Sequence, residues 1–220
     1  MELYDVMRTT FAARQFTEDE VSDETLHRIL DNARFAPSGG NRQGWRVIII
    51  RDQEKRVQLV PLLEPVIRRY RAQVAAGENP FNTIVPTKIT EADVSQTELP
   101  VGYSDPYLKS PVLLLILVDL SVVASMDYAL ERVGVVSGAS VYPFAWNILL
   151  AARNEGLGGT LTTFAAVQEP MMMELFDVPD NFAVCAVLPI GKPVKQPTKL
   201  RRNPVSHFAS FDTFHGDPFG

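Results

Sequence analysis

The sequence has a single cysteine, Cys185, among its 220 residues, so no disulfide can close within the chain. It has three histidines, His27, His207 and His215, and their spacing matches no set of metal ligands. Long apolar runs are missing as well. The longest, Val112 to Val118 among them, have seven residues, against about 20 needed to span a bilayer. Positive charge is not in excess: 21 lysines and arginines face 26 acidic residues, for a net charge of -5. That balance lacks the basic face of a general nucleic-acid binder, though it leaves room for a local pocket for a small anion. The opening "MELYDVMRTT" has no apolar core of the kind that marks a signal peptide, so a cytoplasmic protein is expected. There is no phosphate-cradling GxxxxGK[ST] and no GxSxG elbow. "GLGG", residues 156–159, follows a helical pattern and precedes an extended one, the reverse of the dinucleotide-binding order. It therefore reads as a helix end.

What is present describes one domain over residues 1–220. A content of 46% hydrophobic and 21% charged residues is enough to bury a core. From Ser22, a candidate N-cap, Leu26, Ile29, Leu30 and Ala33 recur at helical spacing, and Pro37 closes the segment. "WRVIII" from Trp45 and "VLLLILVDL" from Val112 read as buried strands. A second helix is expected over Gln53–Ala76, interrupted by Pro61 and Pro65. Residues 77–110 are rich in proline and polar residues with no sustained period, and are expected to form a lid or insert. "SGASVYPFAWNILLAARNE" is a largely apolar helix whose regular part begins near Pro143, with Gly156 suited to closing it. "TLTTF" reads as a strand-like edge, Pro170–Phe176 as a helix and "FAVCAVLPIG" as a strand, in which Cys185 is a buried thiol. The tail at 192–220 carries four phenylalanines in "HFASFDTFHGDPFG". Left in water these would form a sticky patch, so the tail is expected to pack on something, such as a second subunit.

The residues that could carry chemistry are donors rather than an acid, a base or a nucleophile. Arg14 sits in "TTFAARQF". Ser38, Asn41, Arg42 and Gln43 lie in "SGGNRQ", where two glycines let a flat ligand approach the backbone. Thr162 and Thr163 come from "LTTF". Lys199, Arg201 and Arg202 come from "KLRR", a candidate phosphate grip in an acidic chain. Taken together they suit a planar, hydrogen-bonding ring joined to a phosphate.

These stretches also carry a resemblance. "MRTTFAARQFTEDEVSDETLHRILDNARFAPSGGNRQGW", "PVLLLILV", "GASVYPFAWNILLAARNEGLGGTLTTF" and "KLRRNPVSHF" resemble, in that order, the FMN-dependent nitroreductase family. The resemblance implies an α+β fold with a central mixed or antiparallel sheet flanked by helices. It also implies an intertwined homodimer with FMN at the interface, the C-terminal tail embracing the partner. The flavin-contacting set it implies is Thr10, Phe11, Ala12 and Arg14; Pro37, Ser38, Gly39, Asn41 and Gln43; Leu161, Thr162 and Thr163; and Lys199, Arg201 and Arg202. No side chain is implied as catalytic, because the flavin carries the hydride chemistry and the protein orients and tunes it. NADH or NADPH would be the reductant, in a ping-pong reaction with a nitroaromatic, quinone or similar electron-poor acceptor. The same resemblance leaves room for a flavin-sequestering protein without activity. Three departures from the family pattern stand out. Neither Thr10 nor Phe11 is the arginine common there, Ala12 replaces a common serine, and Gly44 stands where a proline usually follows the glutamine. The substrate would be decided by the 77–110 segment and by aromatics such as Tyr103, Tyr107, Tyr142 and Phe144.

Overall fold

A computed structural model describes all residues, Met1–Gly220. At its centre lies a four-stranded sheet, β1 (Trp45–Ile49), β2 (Val112–Asp119), β3 (Gly158–Gly159) and β4 (Phe182–Gly191), in the order β1-β2-β4-β3. All three pairings are antiparallel. The only parallel contact is an isolated bridge from Ala12 to Gly159. The expectation of a mixed or antiparallel sheet thus resolves to the antiparallel form.

β2 is apolar at every position but the last because both of its faces are covered. Leu113, Leu114, Leu115 and Ile116 are all 0% exposed. Val112, Leu114, Ile116 and Val118 pack with α2 (Asp23–Ala33) and α6 (Tyr142–Asn154). Their neighbours Leu113, Leu115 and Leu117 pack with α3 (Gln53–Ala75), α7 (Phe164–Val167) and α8 (Glu169–Phe176). The two-residue period of a strand thus splits one apolar run between two cores. In β4 the register slips opposite Ile116/Leu117, and Cys185 is the extra residue of that bulge. Burial pushes its thiol up to about 12, so it stays protonated and unreactive.

Helix ends follow their sequence signals. Ser22 accepts the Thr25 N–H at the start of α2, and Gly156 takes φ +80° just beyond α6. The expected interruption of the second helix does not occur, since α3 runs unbroken through Pro61 and Pro65. Both prolines are exposed and lie four residues apart on the outer face, where water can serve the carbonyls they leave unbonded. On the inner side the guanidinium of Arg56, only 4% exposed, donates to Ile50 O at 2.7 and 3.0 Å and to Ser110 O at 2.6 Å. It ties α3 to the chain leaving β1 and entering β2. Arg56→Met is therefore expected to cost about 3 kcal/mol by orphaning two buried carbonyls, read as a lower urea midpoint at unchanged slope.

Residues 77–110 contain two short helices, α4 (Glu91–Gln96) and α5 (Asp105–Leu108), both packed on α3. α4 begins in a capping box in which Thr90 and Asp93 bond each other's backbone. An N-terminal helix, α1 (Leu3–Thr9), lies against α6. The tail first runs beside residues 9–17, with Thr17 N–H donating to Lys192 O at 2.9 Å and Val194 N–H to Gln15 O at 3.1 Å. It ends in a small turn where Phe211 meets Phe219 edge-on, while Phe208 and Phe214 remain 72% and 92% exposed. No helix is long and apolar enough to cross a membrane.

Candidate active site

The segment after α1 is joined to β3 by the bond from Ala13 N–H to Gly159 O at 2.9 Å, which brings it beside the residues that follow β3. The pairing projects Arg14 into a cavity of about 260 Å³, which it lines with Leu161, Thr162, Thr163 and residues of α3, α5 and α7. Arg14 is exposed and makes one weak bond, Nη1 to Ala12 O at 3.3 Å, so its charge stays available.

Residues 160–163 supply donors by strand alternation. The N–H groups of Thr160 and Thr162 donate to Pro189 O and Val187 O of β4, at 3.3 and 3.0 Å. Those of Leu161 and Thr163 have no acceptor in the chain, because the period of two turns them away from β4. They lie at the cavity beside Arg14.

The rest of the lining is largely aromatic and comes from elements whose placement the sequence could not supply. Tyr70 of α3 meets Phe164 of α7 edge-on, with ring centres 5.5 Å apart. Tyr107 of α5 is 4% exposed, its hydroxyl 3.4 Å from Thr162 Oγ1, and burial raises its pKa. Tyr103 donates its hydroxyl to the Glu64 carboxylate, and that bond lifts it to about 12. Both tyrosines therefore remain protonated donors at neutral pH. Of the other aromatics, Phe144 is core, stacked on Trp45 at 4.7 Å, and Tyr142 lies half in solvent with its hydroxyl 3.4 Å from Cys185 O. A Tyr-x-x-Pro-Tyr spacing was the available signal for α5; Tyr70 and Phe164 left none.

The other sequence candidates fall elsewhere. Thr10 is buried, and its hydroxyl donates to Val6 O at 2.7 Å, closing α1. Phe11 is half-buried and Ala12 exposed between α1 and Arg14. Pro37, Ser38, Gly39, Asn41 and Gln43 form a loop before β1, and none of them lines the Arg14 cavity. Ser38 Oγ accepts the Gln43 N–H at 3.0 Å, and Gly39 N–H donates to Ser140 Oγ at 3.2 Å. Gly40, Asn41 and Gln43 all take positive φ, at 60°, 52° and 51°. For the last two this is strain of the kind that collects at binding loops. Gly44 is held rather than loose. Its carbonyl accepts Asp119 N–H at 2.8 Å, and an added Cβ would meet Val122 Cγ2 at 2.7 Å.

Lys199 and Arg202 line a separate groove of about 450 Å³ together with Arg8 of α1, which sequence reasoning had not singled out. Arg201 lies outside it and offers its carbonyl to Arg202 Nη1 at 2.6 Å. No group of three or more His, Cys, Asp and Glu side chains converges as a metal site.

Residues 7–192 match the profile of the Nitroreductase family. The chain is 27% identical to the iodotyrosine deiodinase of Thermotoga neapolitana, over 96% of its own length and 98% of the relative's. It is 25% identical to the nitrobenzene nitroreductase of Ectopseudomonas oleovorans, over 85% of each. A crystal structure of oxidised iodotyrosine deiodinase bound to FMN and 3-iodo-L-tyrosine shares the fold, with a TM-score of 0.69 at 24% identity, covering 96% of this chain and all of that one.

Proposed function

Because this chain belongs to the nitroreductase family, we propose that it is an FMN-dependent NAD(P)H oxidoreductase that reduces nitroaromatics, quinones or similar electron-poor acceptors. The observation that carries the reading is one cavity lined together by Arg14, by Leu161 and Thr163, whose backbone N–H groups have no acceptor in the chain, and by aromatic side chains. That donor set fits the oxygen- and nitrogen-rich edge of a flavin, and the apolar remainder fits its flat face. When bound, FMN supplies the two-electron hydride chemistry that no side chain here can perform.

The protein's own part is to bind, orient and exclude water. Arg14 offers a positive charge where negative charge accumulates on reduction. Leu161 and Thr163 offer fixed backbone donors that need no rearrangement. Ile67, Pro106 and Phe164 add apolar lining, and Tyr103 and Tyr107 contribute hydroxyls that keep their protons.

The 37–43 loop, with the exposed side chains of Asn41 and Gln43, does not meet the cavity of its own chain. We read it as completing the cavity of a second copy in a homodimer, with the exposed phenylalanines of the tail packing on that copy. The 77–110 segment serves as the lid, through α5.

A nitroaromatic or quinone suits this cavity better than an amino acid such as iodotyrosine. No carboxylate is among the residues lining the cavity, whose one charged side chain is Arg14, so the ammonium of an amino acid would meet no counter-charge there. Steady-state rates with NADPH or NADH against nitrobenzene, benzoquinone and 3-iodotyrosine test this. Parallel double-reciprocal lines and turnover of the first two over the third are expected. Intersecting lines, or preference for iodotyrosine, would contradict it.

A further inference from the structure

We propose that Arg8 completes the phosphate subsite of this protein, gripping the FMN phosphate together with Lys199 and Arg202. The inference rests on the flavin reading above and supplies the cation that Thr10 and Phe11 do not.

The fold brings the three side chains together from opposite ends of the sequence. The tail runs beside residues 9–17 through the Lys192 and Val194 bonds, and Gln196 Nε2 then donates to Thr9 O at 2.9 Å. Positions just beyond Gln196 therefore reach the C-terminal end of α1, where Arg8 occupies the last turn. The result is a groove of about 450 Å³ whose charged lining is Arg8, Lys199 and Arg202 alone. None of the three makes an ion pair with a carboxylate. Three like charges facing one groove, unneutralised in a chain of net charge -5, repel one another unless an anion joins them.

A single basic residue at the end of α1 is explained by the helix dipole, and Arg8 also lies 5.8 Å from the Tyr4 ring. Neither accounts for the convergence of Lys199 and Arg202 on it. Thr10 cannot take the role, since its hydroxyl is committed to Val6 O inside the fold.

The groove and the Arg14 cavity are joined by the chain itself. From Arg8 to Arg14 are six residues, at most about 20 Å even if fully extended. A ligand with a flat ring at one end and a phosphate at the other, separated by a flexible chain, matches that layout. A phosphate monoester carries about -1.5 to -2 at neutral pH, enough to offset most of the cluster.

Flavin-free protein is titrated with FMN and with riboflavin, following the loss of flavin fluorescence, for the wild type, Arg8→Ala and Arg8→Lys. Wild type is expected to bind FMN much more tightly than riboflavin. Arg8→Ala should weaken FMN by about tenfold or more, as loss of a charge-assisted contact does, and leave riboflavin within about twofold. Arg8→Lys should recover part of the loss. An unchanged FMN affinity in Arg8→Ala overturns the proposal, as does an equal loss for both flavins, which would mark a structural role. Equal binding of FMN and riboflavin by wild type removes the phosphate subsite and leaves the flavin reading intact. Failure of wild type to bind either flavin overturns both.

Discussion

An Arg14→Leu protein is expected to fold normally, yet its bound FMN should be reduced about a hundredfold more slowly by a nicotinamide. Arg14 is the only charged residue lining the cavity. Removing a preorganised donor from a place where charge develops costs a factor of about 10² to 10³. The fold does not depend on it. The side chain is exposed and its one bond is 3.3 Å long, so the melting temperature should move by no more than about 2 °C. Arg14→Lys keeps the charge but not the planar fork, and should fall between the two. Anaerobic stopped-flow at saturating reductant measures the rate, and a thermal melt of the same samples separates chemistry from stability. A leucine variant with wild-type reduction rate would remove Arg14 from the site.

A large effect on the fold is expected at Gly159. A Cβ there would lie 2.7 Å from Pro189 O, 2.9 Å from Leu149 Cδ2 and 3.0 Å from Ile190 Cγ1. The first of these is backbone, which cannot swing aside as a flexible side chain can. Gly159→Ala should therefore destabilise by about 3 kcal/mol, the upper range of overpacking costs, and lower the melting temperature by about 6–12 °C. The strain does not stay local. Pro189 O accepts the Thr160 N–H, and Gly159 O accepts the Ala13 N–H that places Arg14. FMN affinity should fall together with stability, measured by flavin fluorescence below the melting range. Gly156 provides the contrast. It has φ +80° and nothing within 4 Å of an added Cβ, so Gly156→Asn should cost less than about 1 kcal/mol.

The two glycines also mark what the sequence could and could not disclose. Gly156 was legible because a helix end has a local signature, and so were β2 and β4, whose continuous apolar runs announce burial on both faces. Ser22 and the spacing from Leu26 to Ala33 defined α2 for the same reason. The course of α3 was not legible. Whether Pro61 and Pro65 break a helix depends on which way they face, and that is decided by the packing of Leu59, Leu63 and Ile67. The short helices α4 and α5 are held by tertiary contact with α3 and have too few turns to show a period. Cys185 sits in a bulge that only strand register reveals.

The site divides along the same line. Arg14 and Thr162–Thr163 were identifiable as donors, but their meeting depends on the bond from Ala13 to Gly159, 146 residues apart. Arg8 was not distinguishable in sequence from any other surface arginine. What singles it out is the tail lying beside residues 9–17, a contact between the two ends of the chain. The 37–43 loop reads in sequence as part of the same pocket, yet within one chain it stands apart from the Arg14 cavity, anchored through Gly39 to Ser140.

The central claim, that this chain holds FMN and reduces it with a nicotinamide, is tested most directly by a visible spectrum of the FMN-reconstituted protein during anaerobic titration with NADH and with NADPH. The account predicts a protein-bound flavin spectrum that bleaches stoichiometrically with at least one of the two and returns when a nitroaromatic or quinone is added. A protein that takes up no FMN, or whose bound flavin resists both nicotinamides, would contradict it.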